Sequence, residues 1–186
     1  MKTRHGFTLI ELVISMFLAS LLLTGFLQFF VSQSTMYSSN DKVVRTVQTT
    51  RYSMVKLVNE MRMAGYKTVP GAFVGVATAT STSFRFLADL NLDGAVFGDT
   101  EDVTITYSTG NKTLSKNGNT VLNDVEAFLF SYTLVDGSIT STPADLSAIR
   151  KINISLTMRS DKLDILTKTY KTFNLQSDVT PRNLGI

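Results

Sequence analysis

The sequence predicts an α+β protein in which one long N-terminal helix packs on an antiparallel β-sheet. Three observations predict this class. An apolar run extends from Phe7 to Val31, apolar residues then recur at helical spacing from Val43, and apolar–polar alternation dominates from Phe73 onward. The predicted organisation is a charged leader, a transmembrane half and an amphipathic half of the helix, and a C-terminal β domain, at residues 1–6, 7–31, 32–66 and 67–186.

The apolar run has the length of a membrane span. At about 1.5 Å per residue, a helix from Phe7 to Val31 crosses the roughly 30 Å hydrocarbon core of a bilayer. Lys2 and Arg4 precede it, so the positive-inside rule predicts a cytoplasmic N-terminus and a periplasmic C-terminal domain. Glu11 is the one charged residue in the run, and a carboxylate there costs a few kcal/mol. We therefore expect Glu11 to have a partner.

The small residue of a cleavage site also lies in an unusual place. A secretory signal peptide carries its small-residue site after the apolar core, whereas Gly6 precedes it. Cleavage after Gly6 removes the charged leader and leaves the membrane helix on the mature chain. The alternative is an ordinary single-span anchor that tolerates one Glu.

This arrangement resembles the N-terminal signal of type IV prepilins and type II secretion pseudopilins, through Lys2, Arg4, Gly6, Phe7 and Glu11 in register. The resemblance implies that a prepilin peptidase cuts after Gly6 and N-methylates Phe7. It implies that Glu11 pairs with the Phe7 amino group of a neighbouring subunit, where two buried opposite charges neutralise each other. It also implies other minor and major pilins as partners, a single-pass inner-membrane location before assembly, and an extracellular filament afterwards.

The second half of the helix has one apolar face. Its members fall at spacings of three, four and seven residues: Val43, Val47, Met54, Val58 and Met61. Gly65 is the predicted helix end, near Ala64, and the polar stretch Ser38–Asp41 is the weakest part. The segment Lys56–Tyr66, with its Arg-Met-Ala-Gly-Tyr ending, resembles the end of the long helix in PilW/PulJ-type minor pilins. The related GspJ-type pseudopilin tends to lack that ending.

The remaining chain predicts short strands joined by turns. These strands are Phe73–Ala77, Ser83–Ala88, Asp102–Ser108, Thr113–Ser115, Thr120–Leu122, Val125–Val135, Ile149–Arg159 and Ile165–Leu175. The last two are joined by a charged turn at Asp161–Asp164. Their order predicts one antiparallel meander that covers the helix with one face. The aromatic residues at alternate positions are expected in its core: Phe84, Phe86, Phe128, Phe130 and Tyr132.

One loop carries oxygen ligands at calcium-loop spacing. Asp89, Asn91 and Asp93, followed by Gly94, match the opening of an EF-hand loop. The match then fails, because Thr100 stands where that loop needs a Glu. A calcium hypothesis therefore needs a different loop, with further ligands drawn from Asp99, Glu101 or Asp102. The alternative interpretation is an ordinary polar turn between strands.

Composition excludes several classes of function. The net charge of +3 is small and scattered, so nucleic acid is not an expected partner. The chain has no Cys and one His, which excludes a disulfide and disfavours a transition-metal site. That His5 lies in the predicted leader, so no His base remains for a Ser nucleophile. No catalytic constellation emerges, and an enzyme is not expected.

The sequence therefore predicts a minor pilin, a structural and assembly-priming subunit of a type IV pilus. One alternative is a GspJ-like minor pseudopilin of type II secretion. The other is a membrane-tethered, calcium-dependent adhesive module.

Overall fold

A computed structural model describes residues 6–69, 74–163 and 168–184. These residues form one α-helix, α1, nine strands and a 3₁₀ turn at Leu146–Ala148. The bounds are α1 Leu9–Met61, β1 Val76–Ala79, β2 Ser83–Leu87, β3 Asp102–Ser108, β4 Thr113–Lys116, β5 Asn119–Leu122, β6 Val125–Leu134, β7 Ile139–Thr140, β8 Ile149–Leu163 and β9 Tyr170–Val179. Contacts divide the chain into two compact units, residues 1–44 and 45–186.

The first unit consists of the N-terminal part of α1. The helix begins at Leu9 and continues without a break through Ser38–Asp41, the stretch where the sequence predicted a weak point. The side chains from Leu9 to Val31 are all exposed. By length and composition, α1 is the one helix of the described chain that is apolar enough to cross a membrane.

The second unit buries one face of α1. The buried positions recur at intervals of one, three and four residues, which is the pattern of one helix face. They are Thr50, Ser53, Met54, Leu57, Val58 and Met61. The predicted apolar face is thus confirmed from Met54 onward, whereas Val43 and Val47 are only half-buried.

The strands form two antiparallel sheets. The first has the order β1-β2-β3-β4-β5 and the second has the order β7-β6-β8-β9. The prediction of one meander is therefore wrong. The chain leaves the first sheet after β5, at Asp124, whose φ is +58°. The Asp124 carbonyl then accepts a hydrogen bond from the Arg159 N–H at 3.0 Å, which starts the pairing of β6 with β8.

Most predicted strands are confirmed, and the differences are at the ends of elements. Phe73, the predicted start of the first strand, lies outside the described residues, and β1 begins at Val76. Strand β8 continues to Leu163 through most of the predicted Asp161–Asp164 turn. Ile165, the predicted start of the last strand, lies outside the described residues, and β9 extends from Tyr170 to Val179 rather than ending at Leu175. The two-residue strand β7 was not predicted.

Aromatic residues join the two sheets in one core. Phe84 of β2 lies 5.8 Å from Phe130 and 6.0 Å from Tyr132 of β6, between ring centroids. The Tyr132 hydroxyl donates a hydrogen bond of 2.8 Å to the Thr80 carbonyl, and burial raises the pKa of Tyr132. The predicted aromatic core is confirmed, since Phe86 and Phe128 are buried as well.

The Arg-Met-Ala-Gly-Tyr ending forms a crowded junction. Gly65 has a φ of +80°, and its N–H donates to the Leu87 carbonyl at 2.9 Å. A Cβ at Gly65 would lie 2.9 Å from the Asn183 carbonyl oxygen, and one at Gly75 would lie 2.5 Å from the Gly65 Cα. The helix itself ends at Met61 rather than near the predicted Ala64, and the turn that follows it reaches Gly65. At Gly65, β2 and the C-terminal residues leave room for a glycine alone.

We expect Gly65→Ala to destabilise the β domain. The left-handed conformation costs about 1–2 kcal/mol for a residue with a Cβ, and the contact with Asn183 adds to it. Urea unfolding of the full chain in detergent, followed by near-UV circular dichroism of its tyrosines, measures the free energy of unfolding.

Gly110→Ala is the matched control, because a Cβ there meets nothing within 4 Å. We expect it to change the free energy of unfolding by less than about 0.5 kcal/mol. Equal effects of the two substitutions would contradict the close packing at Gly65.

Candidate functional site

The predicted cleavage and methylation residues lie immediately before α1. Gly6, Phe7 and Thr8 have no regular secondary structure, and Phe7 is 90% exposed. Glu11 lies in the first turn of the helix and is exposed. The basic residues of the predicted leader lie outside the described residues.

Thr8 and Glu11 form a reciprocal cap at the start of the helix. The Thr8 backbone N–H and hydroxyl each donate to Glu11 Oε2 at 2.8 Å, and the Glu11 N–H donates to Thr8 Oγ1 at 3.3 Å. This Thr-x-x-Glu pattern is the capping box, and a negative charge is also favoured at a helix N-terminus. Our sequence reasoning missed Thr8, although the Thr-x-x-Glu spacing was the signal that identifies it.

The other polar side chains near the start of the run form hydrogen bonds within the helix. Ser15, Ser20 and Thr24 donate their hydroxyls to carbonyls three or four residues earlier, at 2.8 Å each. Such bonds satisfy hydroxyl groups without an outside partner. Glu11 therefore differs from them, because its carboxylate brings a charge into an apolar segment.

A comparison with protein families matches the same segment. Residues 1–27 match the family model described as the prokaryotic N-terminal methylation motif. The match marks the chain as type IV pilin-like. Its long apolar helix and antiparallel sheets form the α+β type IV pilin-like fold. No curated protein and no solved structure matches the chain.

The motif indicates how a type IV pilin-like chain is processed and assembled. It implies processing by a prepilin peptidase and assembly with other pilins, and it points to a structural subunit rather than an enzyme. The apolar start of α1 is consistent with membrane anchoring.

The second candidate site is the acidic loop, residues 89–101. Asp89 and Glu101, at its two ends, are 0% and 2% exposed, although they are carboxylates. Asn91 and Asp93 lie on the exposed side of the same loop, and Asp99 is exposed as well. The structure thus brings Asp89 and Glu101 to the base of the loop and leaves the other three predicted ligands nearer to solvent.

Backbone N–H groups take up the buried carboxylates. Asp89 accepts from the N–H groups of Thr68 and Gly94 through Oδ2, at 3.3 and 3.1 Å, and from Asp93 through Oδ1 at 3.2 Å. Glu101 accepts from three further N–H groups, those of Leu90 and Asn91 through Oε1 and of Phe97 through Oε2, at 3.0–3.1 Å. These six hydrogen bonds to the two side chains therefore fix the backbone of the loop.

The geometry does not fit the calcium hypothesis. Asn91 and Asp93 also use oxygens locally, on the N–H groups of Asp93 and Ala95 at 2.9 and 2.8 Å. Asp102, the further ligand considered, makes a bidentate pair with Arg85 at 2.9 and 2.6 Å. Across residues 6–69, 74–163 and 168–184, no group of three or more His, Cys, Asp or Glu side chains could hold a metal ion. Calcium binding itself stays a hypothesis.

We expect Asp89→Asn to make the free energy of unfolding of the β domain less dependent on pH in the acidic range. The hydrogen bond from the Thr68 side chain, supported by the backbone N–H groups, lowers the pKa of Asp89 below its ordinary value of 3.8. The unfolded chain then binds this proton more readily, so ionised Asp89 stabilises the fold above about pH 4. That contribution is lost as the pH falls through the lowered pKa.

Urea unfolding between pH 7 and pH 3 measures this difference. Asp89→Asn should be less stable than the unchanged chain at pH 7, and the gap should close toward pH 3. Asp99→Asn removes an exposed carboxylate of the same loop and is the matched control. Its free energy of unfolding at pH 7 should match that of the unchanged chain within about 0.5 kcal/mol. The same titration in millimolar calcium tests the calcium hypothesis, because a bound ion would raise the unfolding midpoint.

Proposed function

We propose that this chain is a minor pilin of the PilW type, a structural and assembly-priming subunit of a type IV pilus. The observation that carries the proposal is the order in which the features of the N-terminal segment follow one another. Gly6 and Phe7 lie just outside the helix, Glu11 lies in its first turn, and an apolar helix with exposed side chains follows. The methylation-motif match covers this segment.

In this proposal, cleavage after Gly6 produces a new amino terminus at Phe7. The peptide bond between them precedes the first helical residue, so a peptidase meets it outside the helix. The new amino group, methylated on Phe7, then lies at the level of the apolar segment. An ammonium there has the same need for a partner as Glu11.

The assembly step follows from charge and packing. Within one chain, the Thr8 N–H and hydroxyl both bind Glu11 Oε2. These donors hold the carboxylate at the helix end but bring no positive charge. The Phe7 ammonium of a neighbouring subunit supplies that charge, and the apolar helices pack beside each other. A buried pair of this kind is stable only when both members are present.

The PilW-type assignment rests on the resemblance of Lys56–Tyr66. A GspJ-like pseudopilin of type II secretion is the alternative within the same class, because the methylation motif fits both. The genes that neighbour this one would distinguish a pilus operon from a secretion operon.

Intact mass and N-terminal sequencing of the chain from its native membrane test the processing step. We expect a chain that begins with N-methyl-Phe7. A chain that still begins at Met1, with the peptidase present, would leave a tethered domain and overturn the proposal.

We expect Glu11→Ala to leave the protein in the membrane but to reduce its incorporation into sheared pili at least about tenfold. A loss of a few kcal/mol from an unpaired charge has at least that effect on an equilibrium. Immunoblots of sheared filaments and of membranes measure the two pools.

Gln28→Ala is the matched control, since Gln28 is an exposed polar residue of the same helix without a charge. Its incorporation should match that of the unchanged chain. Normal incorporation of the Glu11→Ala variant would contradict the role given to Glu11.

A further inference from the structure

The sequence contains one Asn-Gly dipeptide, Asn117-Gly118, and it forms the turn between β4 and β5. Lys116 pairs with Asn119 across this two-residue turn. The φ angles are +49° at Asn117 and +79° at Gly118, as in the type I′ turn that matches the twist of a hairpin. The fold of the hairpin thus accounts for the dipeptide, and Gly118 is exposed to water.

The Asn117 side chain uses every polar group that it has. Its Oδ1 accepts a hydrogen bond from the Thr104 N–H at 2.6 Å. Its Nδ2 donates to the carbonyls of Asp99 and Asp102, at 3.0 Å each. The half-buried carboxamide therefore ties the turn to β3 and to the end of the acidic loop.

An Asn followed by Gly also carries its own reaction partner. In an unconstrained chain, the backbone nitrogen of the Gly attacks Cγ of the Asn and loses its proton. The bond from Cγ to the side-chain nitrogen breaks, and ammonia leaves a cyclic succinimide. Water then opens the ring to Asp or to isoaspartate. The reaction needs no enzyme, and Gly favours it because Gly has no side chain that obstructs the attack.

The closed turn opposes this reaction. The Asn117 carboxamide has to turn back over its own backbone before the Gly118 nitrogen can reach Cγ. That rotation breaks all three hydrogen bonds of the side chain. Donors and acceptors that lose their partners in a half-buried place raise the free energy of the rotated state. The reaction therefore needs the turn to leave β3.

We propose that Asn117 is a deamidation site, at which the β4–β5 hairpin has to open before the reaction occurs. Strand β5 is the part of the first sheet that opens most readily. It has four residues, lies at an edge of the sheet, and pairs with β4 through an irregular register. The inference goes beyond the assembly role of the N-terminal helix and does not depend on cleavage at Gly6.

Deamidation makes the loss of the tie permanent. An oxygen in the place of Nδ2 brings an acceptor against the carbonyls of Asp99 and Asp102, which had bound a donor. Asn117 also lines a surface cavity of about 340 Å³ with these two acidic residues and Arg85. Because Arg85 already pairs with Asp102, the new carboxylate meets acidic neighbours without a free cation among them. The modified turn therefore cannot restore its former contacts.

Peptide mass spectrometry of the full chain in detergent measures the reaction. The chain is incubated in mildly alkaline buffer, either folded or unfolded in urea. The synthetic peptide Ser-Lys-Asn-Gly-Asn-Thr is incubated in both solutions as the reference. We expect the unfolded chain to react at a rate similar to that of the peptide. The folded chain should react at least about tenfold more slowly, because only molecules with an open hairpin react. A folded chain that reacts as fast as the peptide would overturn the proposal.

Two truncations in β5 test the opening step. Leu122 is buried opposite Leu114, so Leu122→Ala loosens β5 and should raise the rate in the folded chain at least about tenfold. Val121→Ala removes less from a half-buried residue of the same strand and should raise the rate by a smaller factor, which decides the question if Leu122→Ala does not fold.

Thr120→Ala is the matched control, because Thr120 is an exposed residue of β5. Its rate should stay within about twofold of that of the unchanged chain. Near-UV circular dichroism verifies the fold of each variant before incubation. Equal rates in Thr120→Ala and in the folded truncation variants would show that opening does not limit the reaction, and would overturn the proposal.

Asn117→Asp reproduces one product, and Asn119→Asp adds the same charge at an exposed position beside it. We expect Asn117→Asp to lower the urea midpoint and Asn119→Asp to leave it unchanged. Equal midpoints would contradict the tie through the Asn117 carboxamide. N-terminal processing affects none of these results, so this proposal and the proposed function can fail separately.

Discussion

The contact of Phe84 with Phe130 and Tyr132 is the interaction on which the β domain depends. It brings the two sheets together, and the helix residues Met54 and Leu57 belong to the same buried cluster. Each sheet thus has one face in a shared core, and the Tyr132 hydroxyl reaches the Thr80 carbonyl across it. The buried apolar area of α1 from Thr50 onward has no other place to pack, which keeps this part of the helix with the sheets.

Carboxylates that accept hydrogen bonds from backbone N–H groups recur along the chain, and three of them belong to the candidate sites. Glu11 caps the helix through Thr8, and Asp89 and Glu101 hold the acidic loop through six N–H groups. Loop amides cannot pair within a sheet, and buried N–H groups need acceptors. Among the described residues, no buried side-chain nitrogen or oxygen lacks a hydrogen-bond partner. Acidic residues in this protein therefore serve local structure in places where their spacing resembled a metal site.

The division into two sheets also determines which strands lie at the sheet edges. A single meander would have had the strand predicted at Phe73–Ala77 at one edge and the strand predicted at Ile165–Leu175 at the other. Instead, Arg159 anchors β8 at Asp124, with hydrogen bonds of 3.1 and 3.2 Å from its side chain, and β8 pairs with β6 on one side and β9 on the other. Among the described strands, β9 pairs with β8 alone and lies at the edge of the second sheet.

The sequence by itself determined the local features. Charge and apolar length identified the N-terminal segment. The spacing of Met54, Val58 and Met61 predicted the buried helix face. The alternation of apolar and polar residues predicted β2, β3, β6 and most of β8. Each of these depends on neighbours within a few residues. Only the tertiary structure decided that the strands form two sheets and that Gly65 lies against Gly75 and Asn183. It also decided that Asp89 and Glu101 accept hydrogen bonds from backbone N–H groups. Those outcomes depend on contacts between residues far apart in the chain, and no local pattern of residue types records which amide a carboxylate will meet.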